Sequence, residues 1–317
     1  MSEEAEISVV VATRDRADRL EGLLGTLAGQ TLAPERFEVI VVDDGSTDRT
    51  AELLARARAE GRPRVSVLRR DGNGPAAARN AGWRAASAPL VAFTDDDCEA
   101  PPDWLEEALA GAAERPCAIV QGPTTPIPAE LERTGPFTRT KEITAPNPSF
   151  QTCNIVYPRE LLERLEGFDE GFPEALGEDT DLGWRARAAG AEYVFEPEAL
   201  IHHRVVEMGP VGKLRFALGW SGAMQVLRDH PELRRTLTWR VFWKRSHALL
   251  ALAVLGAVTA RRFPPALLLT LPYLRALRAR CLFEGYSLVH MPYLALYDAT
   301  EMFAAARGAA EHRVLVL

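Results

Sequence analysis

Two short apolar runs that each stop at a cluster of carboxylates constrain this chain more than any other feature. Phe37-Glu38-Val39-Ile40-Val41-Val42 ends at Asp43-Asp44-Gly45-Ser46, and Leu90-Val91-Ala92-Phe93 ends, after Thr94, at Asp95-Asp96-Asp97. Runs this short, this apolar and this rich in β-branched residues are strands buried on both faces of a parallel sheet. Ile7-Ser8-Val9-Val10-Val11 and Val65-Ser66-Val67-Leu68 have the same character. Helical patterns separate them: Leu20, Leu23, Leu24 and Leu27 at helical spacing, then 47–59 with Leu53 and Leu54 inward, then 76–86. Strands alternating with helices predict an α/β fold, a mostly parallel sheet with helices on both faces and right-handed crossovers. Ligands of such sheets bind outside the carboxyl ends of the strands. Both acidic clusters lie there, so they are expected to face one crevice.

The rest of the chain is less regular. Residues 121–149 are rich in Pro and Thr and read as loops or extended edge structure. A short helix over 158–165 leads to a turn at Gly167-Phe168-Asp169, and a helix over 180–189 ends with Gly190 as its C-cap. Short strands are expected at 191–195 and 200–203. From Gly209 the pattern is helical to the end. The expected organisation is an α/β domain over 1–210 and a helical region over 211–317. No internal repeat is visible.

Composition narrows the function classes. The balance of 47% hydrophobic and 26% charged residues is that of an ordinary globular protein, which excludes disordered and low-complexity readings. Cys98, Cys117, Cys153 and Cys281 show no C-x-x-C spacing, so no disulfide framework or structural zinc site is expected and a reducing compartment is the natural reading. Residues 1–210 hold 22 Lys and Arg against 38 Asp and Glu, whereas 211–290 hold 13 against 3. An acidic body with a basic segment does not describe a nucleic-acid-binding protein. The acidic start Met1-Ser2-Glu3-Glu4 is no signal peptide. The longest apolar run, 248–260, has 13 residues where a spanning helix needs about 20. The expected location is cytoplasmic. Helices in 211–290 are expected to form a small bundle packed on the preceding domain, to rest on the inner membrane surface with Trp220, Trp239, Trp243 and the arginines at headgroup level, or to form a homodimer interface.

Four further groupings carry candidate chemistry. Asp95-Asp96-Asp97 has no cation beside it in sequence, so the acids are either fully solvated or bind a divalent cation; oxygen-rich sites suit Mg²⁺ or Mn²⁺. Asp43-Asp44-Gly45-Ser46 reads as a turn or as a ledge of acceptors for a ligand's N–H groups. The loop Gly72-Asn73-Gly74 leads into Ala76-Ala77-Ala78-Arg79-Asn80-Ala81-Gly82, whose small residues allow close packing on the sheet and whose Arg79 can meet a phosphate. Glu178-Asp179-Thr180-Asp181 reads as acids at a helix start, or as a carboxylate crowded by its neighbours into acting as a base. His202-His203 follows a short strand, whose alternation lets only one of the two point at a metal.

The order and spacing of these segments resemble the family 2 glycosyltransferases, which have the GT-A fold. The resemblance covers residues 7–203 and implies that 1–210 is the catalytic domain, with a donor half at about 1–100 and an acceptor half at about 101–210. It is carried by Thr13-Arg14, Gln30-Thr31, Val41-Val42-Asp43-Asp44-Gly45-Ser46, Ala78-Arg79-Asn80-Ala81-Gly82, Phe93-Thr94-Asp95-Asp96-Asp97, Gly167-Phe168-Asp169-Glu170 and Glu178-Asp179-Thr180-Asp181-Leu182 with Arg185. It implies an inverting, metal-dependent transfer from a nucleotide-diphosphate sugar to a saccharide, lipid-linked or small-molecule acceptor. By resemblance, Asp43 contacts the donor's base, with Thr13, Arg14 and Asp44 nearby. Arg79 sits by the nucleotide or phosphates. Asp95-x-Asp97 is the D-x-D motif at the ribose and cation, with Asp96 alongside. Asp179, next to Glu178, is the general base, and His203 is a further metal ligand with His202 as fallback. Two departures stand out. Thr13-Arg14-Asp15-Arg16 replaces the family's Asn-Arg, and the third acid at 95–97 blurs which carboxylate holds the metal. The competing readings are a nucleotidyltransferase, for which an acceptor-side base is superfluous, and a catalytically degenerate nucleotide-sugar-binding protein.

Overall fold

The computed structural model describes residues 5–61, 63–113, 115–172 and 176–316; the acidic start at 1–4 lies outside them. The chain forms two compact units, Met1–Glu132 with Thr140–Val205, and Arg133–Arg139 with Val206–Leu317.

The first unit begins β1 (Ile7–Thr13), α1 (Ala17–Ala28), β2 (Phe37–Asp43), α2 (Thr50–Glu60), β3 (Val65–Arg69), α3 (Pro75–Ala85) and β4 (Leu90–Asp95). It continues with β5 (Cys98–Glu99), α4 (Trp104–Ala113), β6 (Ile119–Gln121) and β7 (Thr124–Pro126). In the second unit lies β8 (Thr138–Arg139). The first resumes with β9 (Asn154–Pro158), α5 (Arg159–Leu165), α6 (Glu178–Ala188), β10 (Tyr193–Phe195) and β11 (Ile201–His203). Seven strands make the main sheet in the order β10-β6-β9-β4-β1-β2-β3. β1 runs parallel to both β2 and β4, and β9 runs antiparallel to β4 and β6.

Alternation along the central strands sorts the core into two layers. Val9, Val11, Val39 and Val41 pack with Leu20, Leu23, Leu54 and Trp104 on one face. Val10, Ile40, Val42 and Phe93 pack with Ala78, Trp83, Leu162 and Leu182 on the other. A sheet covered on both faces has no polar side for its inner strands, which is why their sequences read as mostly apolar runs, with Ser8 and Glu38 as buried exceptions. The α6 end follows the expectation for Gly190: its φ is 90°, its N–H reaches the Arg187 carbonyl at 3.0 Å, and Ala191 N–H reaches that of Ala186 at 3.0 Å. This paired closure satisfies carbonyls that the helix leaves open.

A smaller sheet, β5-β11-β7, sits beside the end of β4. Its register sets His203 opposite Cys98 and His202 opposite Glu99 and Thr125.

The second unit comprises β8, β12 (Val206–Glu207), α7 (Gly209–Leu218), α8 (Trp220–Asp229), α9 (Arg245–Thr259), α10 (Leu271–Phe283) and α11 (Met291–His312). Its own core includes Ala253, Tyr273, Leu277, Cys281 and Leu294. Among the described residues no helix is long and apolar enough to cross a membrane.

Candidate active site

Strand register gathers the acids. β1 lies between β2 and β4 with Thr13 opposite Asp43 and Ala12 opposite Asp95, so both clusters emerge at the carboxyl end of three adjacent parallel strands. Each cluster then divides its labour. Asp43 accepts from Ser46 N–H at 2.8 Å, and Arg69 lies 3.5 Å from its other oxygen. Asp44 accepts from the amides of Asn73 at 3.1 Å and Gly74 at 2.9 Å, which ties the loop before α3 to the end of β2. Arg14 is exposed, and a side chain on Gly72, whose φ is 85°, would begin 3.0 Å from its guanidinium.

The three acids after β4 point three ways. Asp95 faces Arg79 at 3.2 Å and Lys141 at 3.4 Å. Burial raises its pKa, but Lys141 and then Arg79 outweigh burial and hold it well below the usual carboxylate range. Asp96 turns back beneath the sheet end, where it accepts from Thr13 Oγ1 at 2.7 Å and Arg16 at 2.9 Å. Burial dominates there and pushes it up to about 6. Asp97 lies 3.4 Å from Arg19 and 3.4 Å from His203 Nε2. The acids that have no cation beside them in sequence are thus met by Arg16 and Arg19 from the start of α1, by Arg79 from α3 and by Lys141. Local sequence gives no sign of these partners, because each arrives through the fold.

The histidines separate as strand alternation requires. His202 Nδ1 meets Thr125 Oγ1 at 3.0 Å, and burial lowers its pKa. His203 is 3% exposed and donates Nδ1–H to the Arg204 carbonyl at 2.9 Å. Its Nε2 faces Asp97 at 3.4 Å, so a ring nitrogen and a carboxylate oxygen are turned toward each other. Such an arrangement suits a cation between them. One donor atom each from Asp97, Cys98 and His203 lie within 4.8 Å of one another, all on buried residues. The nitrogen and carboxylate of this set suit Mn²⁺-type ions, while burial keeps the Cys98 thiol protonated, its pKa raised well above the ordinary value. Cys98 is a member that sequence reasoning passes over; its place directly after Asp97 is the available signal.

Arg79 and the start of α6 complete the site. Arg79 is 7% exposed and bridges Glu178 at 2.7 Å and Asp95 at 3.2 Å. Glu178 leads α6 after Gly177, whose φ is 114°. Its Oε2 is buried with no hydrogen-bond partner among the described residues. Burial, and then the neighbouring Asp179, push its pKa up to about 7. Asp179 is half-buried and takes the Thr180 amide on Oδ1 at 2.7 Å. Burial raises it too, against the pull of Lys141. Asp181, one turn on, is held by Arg185 at 2.8 Å, and Arg185 also caps the carbonyls of Leu165 and Gly167. A second buried cluster, His247, Asp298 and Glu301, lies in the helical unit. Lys244 Nζ sits 2.7 Å from both Glu301 oxygens and already supplies a countercharge.

Comparison with known proteins converges on one family. Residues 8–168 match Glycosyl transferase family 2, and 90–279 match Glycosyl transferase family group 2. Validoxylamine A glucosyltransferase of Streptomyces hygroscopicus subsp. limoneus is 34% identical over 275 residues, 74% of this chain and 59% of the relative. Glycosyltransferase AglE of Haloferax volcanii is 29% identical over 240 residues, 72% of this chain and 77% of the relative. This chain therefore spans about three-fifths of the length of the Streptomyces relative. A mannosyltransferase structure from Pyrobaculum calidifontis, in complex with GDP-Man and Mn²⁺, shares the fold with a TM-score of 0.62 and 21% identity, over 98% of this chain and 88% of that one. The fold is GT-A. The two family matches together span every strand end and helix start that carries an acid of this site, and the chain belongs to glycosyl transferase family 2.

Proposed function

We propose that the chain transfers a sugar from a nucleotide-diphosphate donor to an acceptor hydroxyl, with inversion at the anomeric carbon. The relatives named above are glycosyltransferases, and the Pyrobaculum structure holds GDP-Man with Mn²⁺. A second solved relative in fold, Staphylococcus aureus TarS, holds UDP-GlcNAc. The observation that carries the reading is the chain of ion pairs from Asp95 through the buried Arg79 to Glu178 at the carboxyl end of the sheet, with Asp179 next in sequence at the start of α6.

Asp43, at the end of β2, presents a carboxylate to the donor's base, and Thr13 and Asp44 hold the surrounding loops. Asp97 and His203, with Asp95 beside them, are the residues that would hold a divalent cation, which when bound supplies positive charge for the departing diphosphate. Arg79 and Lys141 keep Asp95 ionised and add fixed positive potential at the same end of the sheet. Asp179 takes the proton of the acceptor hydroxyl. Its Oδ1 is engaged by Thr180, and its Oδ2 accepts no hydrogen bond among the described residues. Its raised pKa makes it a stronger base than an ordinary aspartate. The acceptor oxygen bonds to the anomeric carbon as the bond to the diphosphate oxygen breaks, and the electron pair leaves with the nucleotide. One displacement inverts the centre.

The test is Asp179→Asn. Transfer falls by about 10²- to 10⁴-fold, the usual worth of a general base, while donor affinity is unchanged. Wild-type turnover in that variant removes Asp179 as the base, and a product of retained configuration by NMR removes the single displacement.

A further inference from the structure

The helical unit carries an exposed surface whose residues are not among those of the site described above. Between residues 233 and 283 there are ten Lys and Arg and no Asp or Glu. Within this segment α9 is followed by a 3-10 turn, Pro264–Thr270, and then by α10. Gly256 of α9 sets the packing: a Cβ there would lie 2.6 Å from the Ala266 carbonyl and 2.8 Å from Leu269 Cβ. The backbone of the 3-10 turn is therefore pressed onto α9, and large apolar side chains of both segments remain in solvent. Val254, Leu255 and Val258 share one stripe of α9 at 54 to 63% exposure; Phe263, Leu267 and Leu268 stand at 53 to 66%. Arg261 and Arg262 lie between α9 and the 3-10 turn, and Arg275 and Arg278 on α10; all four are exposed.

Exposed apolar clusters of this kind mark an interaction surface. The arginines choose its partner. In a symmetric dimer the patch meets itself, which would bring arginine against arginine with no acid in the segment to pair with them. An anionic bilayer offers both what the apolar side chains need and what the arginines need. α9 has 15 residues, about 22 Å of helix, against a hydrocarbon core of about 30 Å, so it is built to lie in the interface rather than to cross it. The tryptophans contribute unequally: Trp220 and Trp243 pack on each other at 5.6 Å, and Trp239 is 63% exposed.

We propose that the hairpin of α9, the 3-10 turn and α10 docks in the plane of an anionic lipid surface, with Leu255, Val258, Leu267 and Leu268 below the headgroups and Arg261 and Arg262 at the phosphates. The proposal does not rest on the catalytic reading, because its test reads partition and not turnover. The full chain is sedimented with vesicles of phosphatidylcholine alone and of phosphatidylcholine with phosphatidylglycerol. It co-sediments with the anionic vesicles, and added salt weakens the binding. Arg261→Gln with Arg262→Gln weakens it by roughly fivefold per arginine. Leu267→Asp with Leu268→Asp abolishes it at an unchanged thermal midpoint; should that pair unfold the chain, the arginine pair still decides. Absence of binding to either vesicle overturns the proposal. So does equal binding to both, and so does a dimer in sedimentation velocity that the leucine changes disperse.

Discussion

A single hydrogen bond, from His203 Nδ1 to the Arg204 carbonyl, fixes what the other ring nitrogen can do. It holds the ring with Nε2 toward Asp97, whereas His202 spends its Nδ1 on Thr125. His203→Ala should therefore weaken Mn²⁺-dependent nucleotide binding by at least about tenfold, and His202→Ala should leave it within error. Titration calorimetry with a nucleoside diphosphate, with Mn²⁺ and with chelator, separates the two; equal losses would overturn the assignment. Sequence alone can name both histidines but not choose between them, because the choice depends on which face of the β5-β11-β7 sheet turns toward Asp97. The same limit applies to the acids. Asp43, Asp95, Asp97 and Asp179 are legible because strand ends and helix starts are local signals. Arg16, Arg19 and Lys141 are not, because each reaches its carboxylate across 46 or more positions of sequence.

Two helical glycines show how packing, not propensity, decides an element's place. Gly82 of α3 faces β1, where an added Cβ would lie 2.4 Å from Val10 Cγ1 and 3.2 Å from Val42 Cγ2. Gly22 of α1 has nothing within 4 Å. Replacing glycine by alanine gains up to about 1 kcal/mol in a helix, and overpacking a core loses about 1 to 3 kcal/mol. Gly22→Ala should then raise the thermal midpoint by a few degrees and Gly82→Ala should lower it. A rise in both would mean that β1 yields to α3 without strain. The close approach of α3 to the sheet is legible in the sequence, because the residues of 76–82 are nearly all small. The first four strands are legible too, because apolar residues dominate each of them, with Ser8, Glu38 and Ser66 as the polar interruptions before the strand ends. β9 is not, although it lies mid-sheet: Asn154-Ile155-Val156-Tyr157-Pro158 follows a Pro-rich stretch and ends in Pro, both signals of irregular chain. The sequence reading passes over α4 and β6 as well. The three-residue β6 is too short for a period to show, but α4 is missed despite its ten residues.

Across the molecule, the site works against the stability of the fold that holds it. Glu178 titrates at about 7 in the folded chain against an ordinary 4.5, because burial and then Asp179 disfavour its charge despite Arg79. Asp96 is raised to about 6 against 3.8 by burial. A carboxyl with a raised folded pKa binds more protons folded than unfolded between the two values. Stability therefore falls as pH rises through that window, here from about 4 to about 7. Asp95 has the opposite sign, but its window lies below 3.8, and His202, lowered by burial, opposes the trend below 6.5. Comparing wild type with Glu178→Gln cancels those shared contributions. Below about pH 4, under the unfolded value of 4.5, the two should melt together, since glutamine imitates the protonated acid. Above pH 7 the variant should be the more stable by an order of a few kcal/mol, or several degrees in midpoint. Its glycosyl transfer should be impaired, because the ionised Glu178 that orients Arg79 is gone. Melting curves across pH decide the matter. If Glu178→Gln is instead the less stable protein at alkaline pH, the ion pair with Arg79 outweighs burial and Glu178 holds the fold together. If it is the more stable and less active, the charge at the head of α6 is kept for the reaction at the expense of the fold.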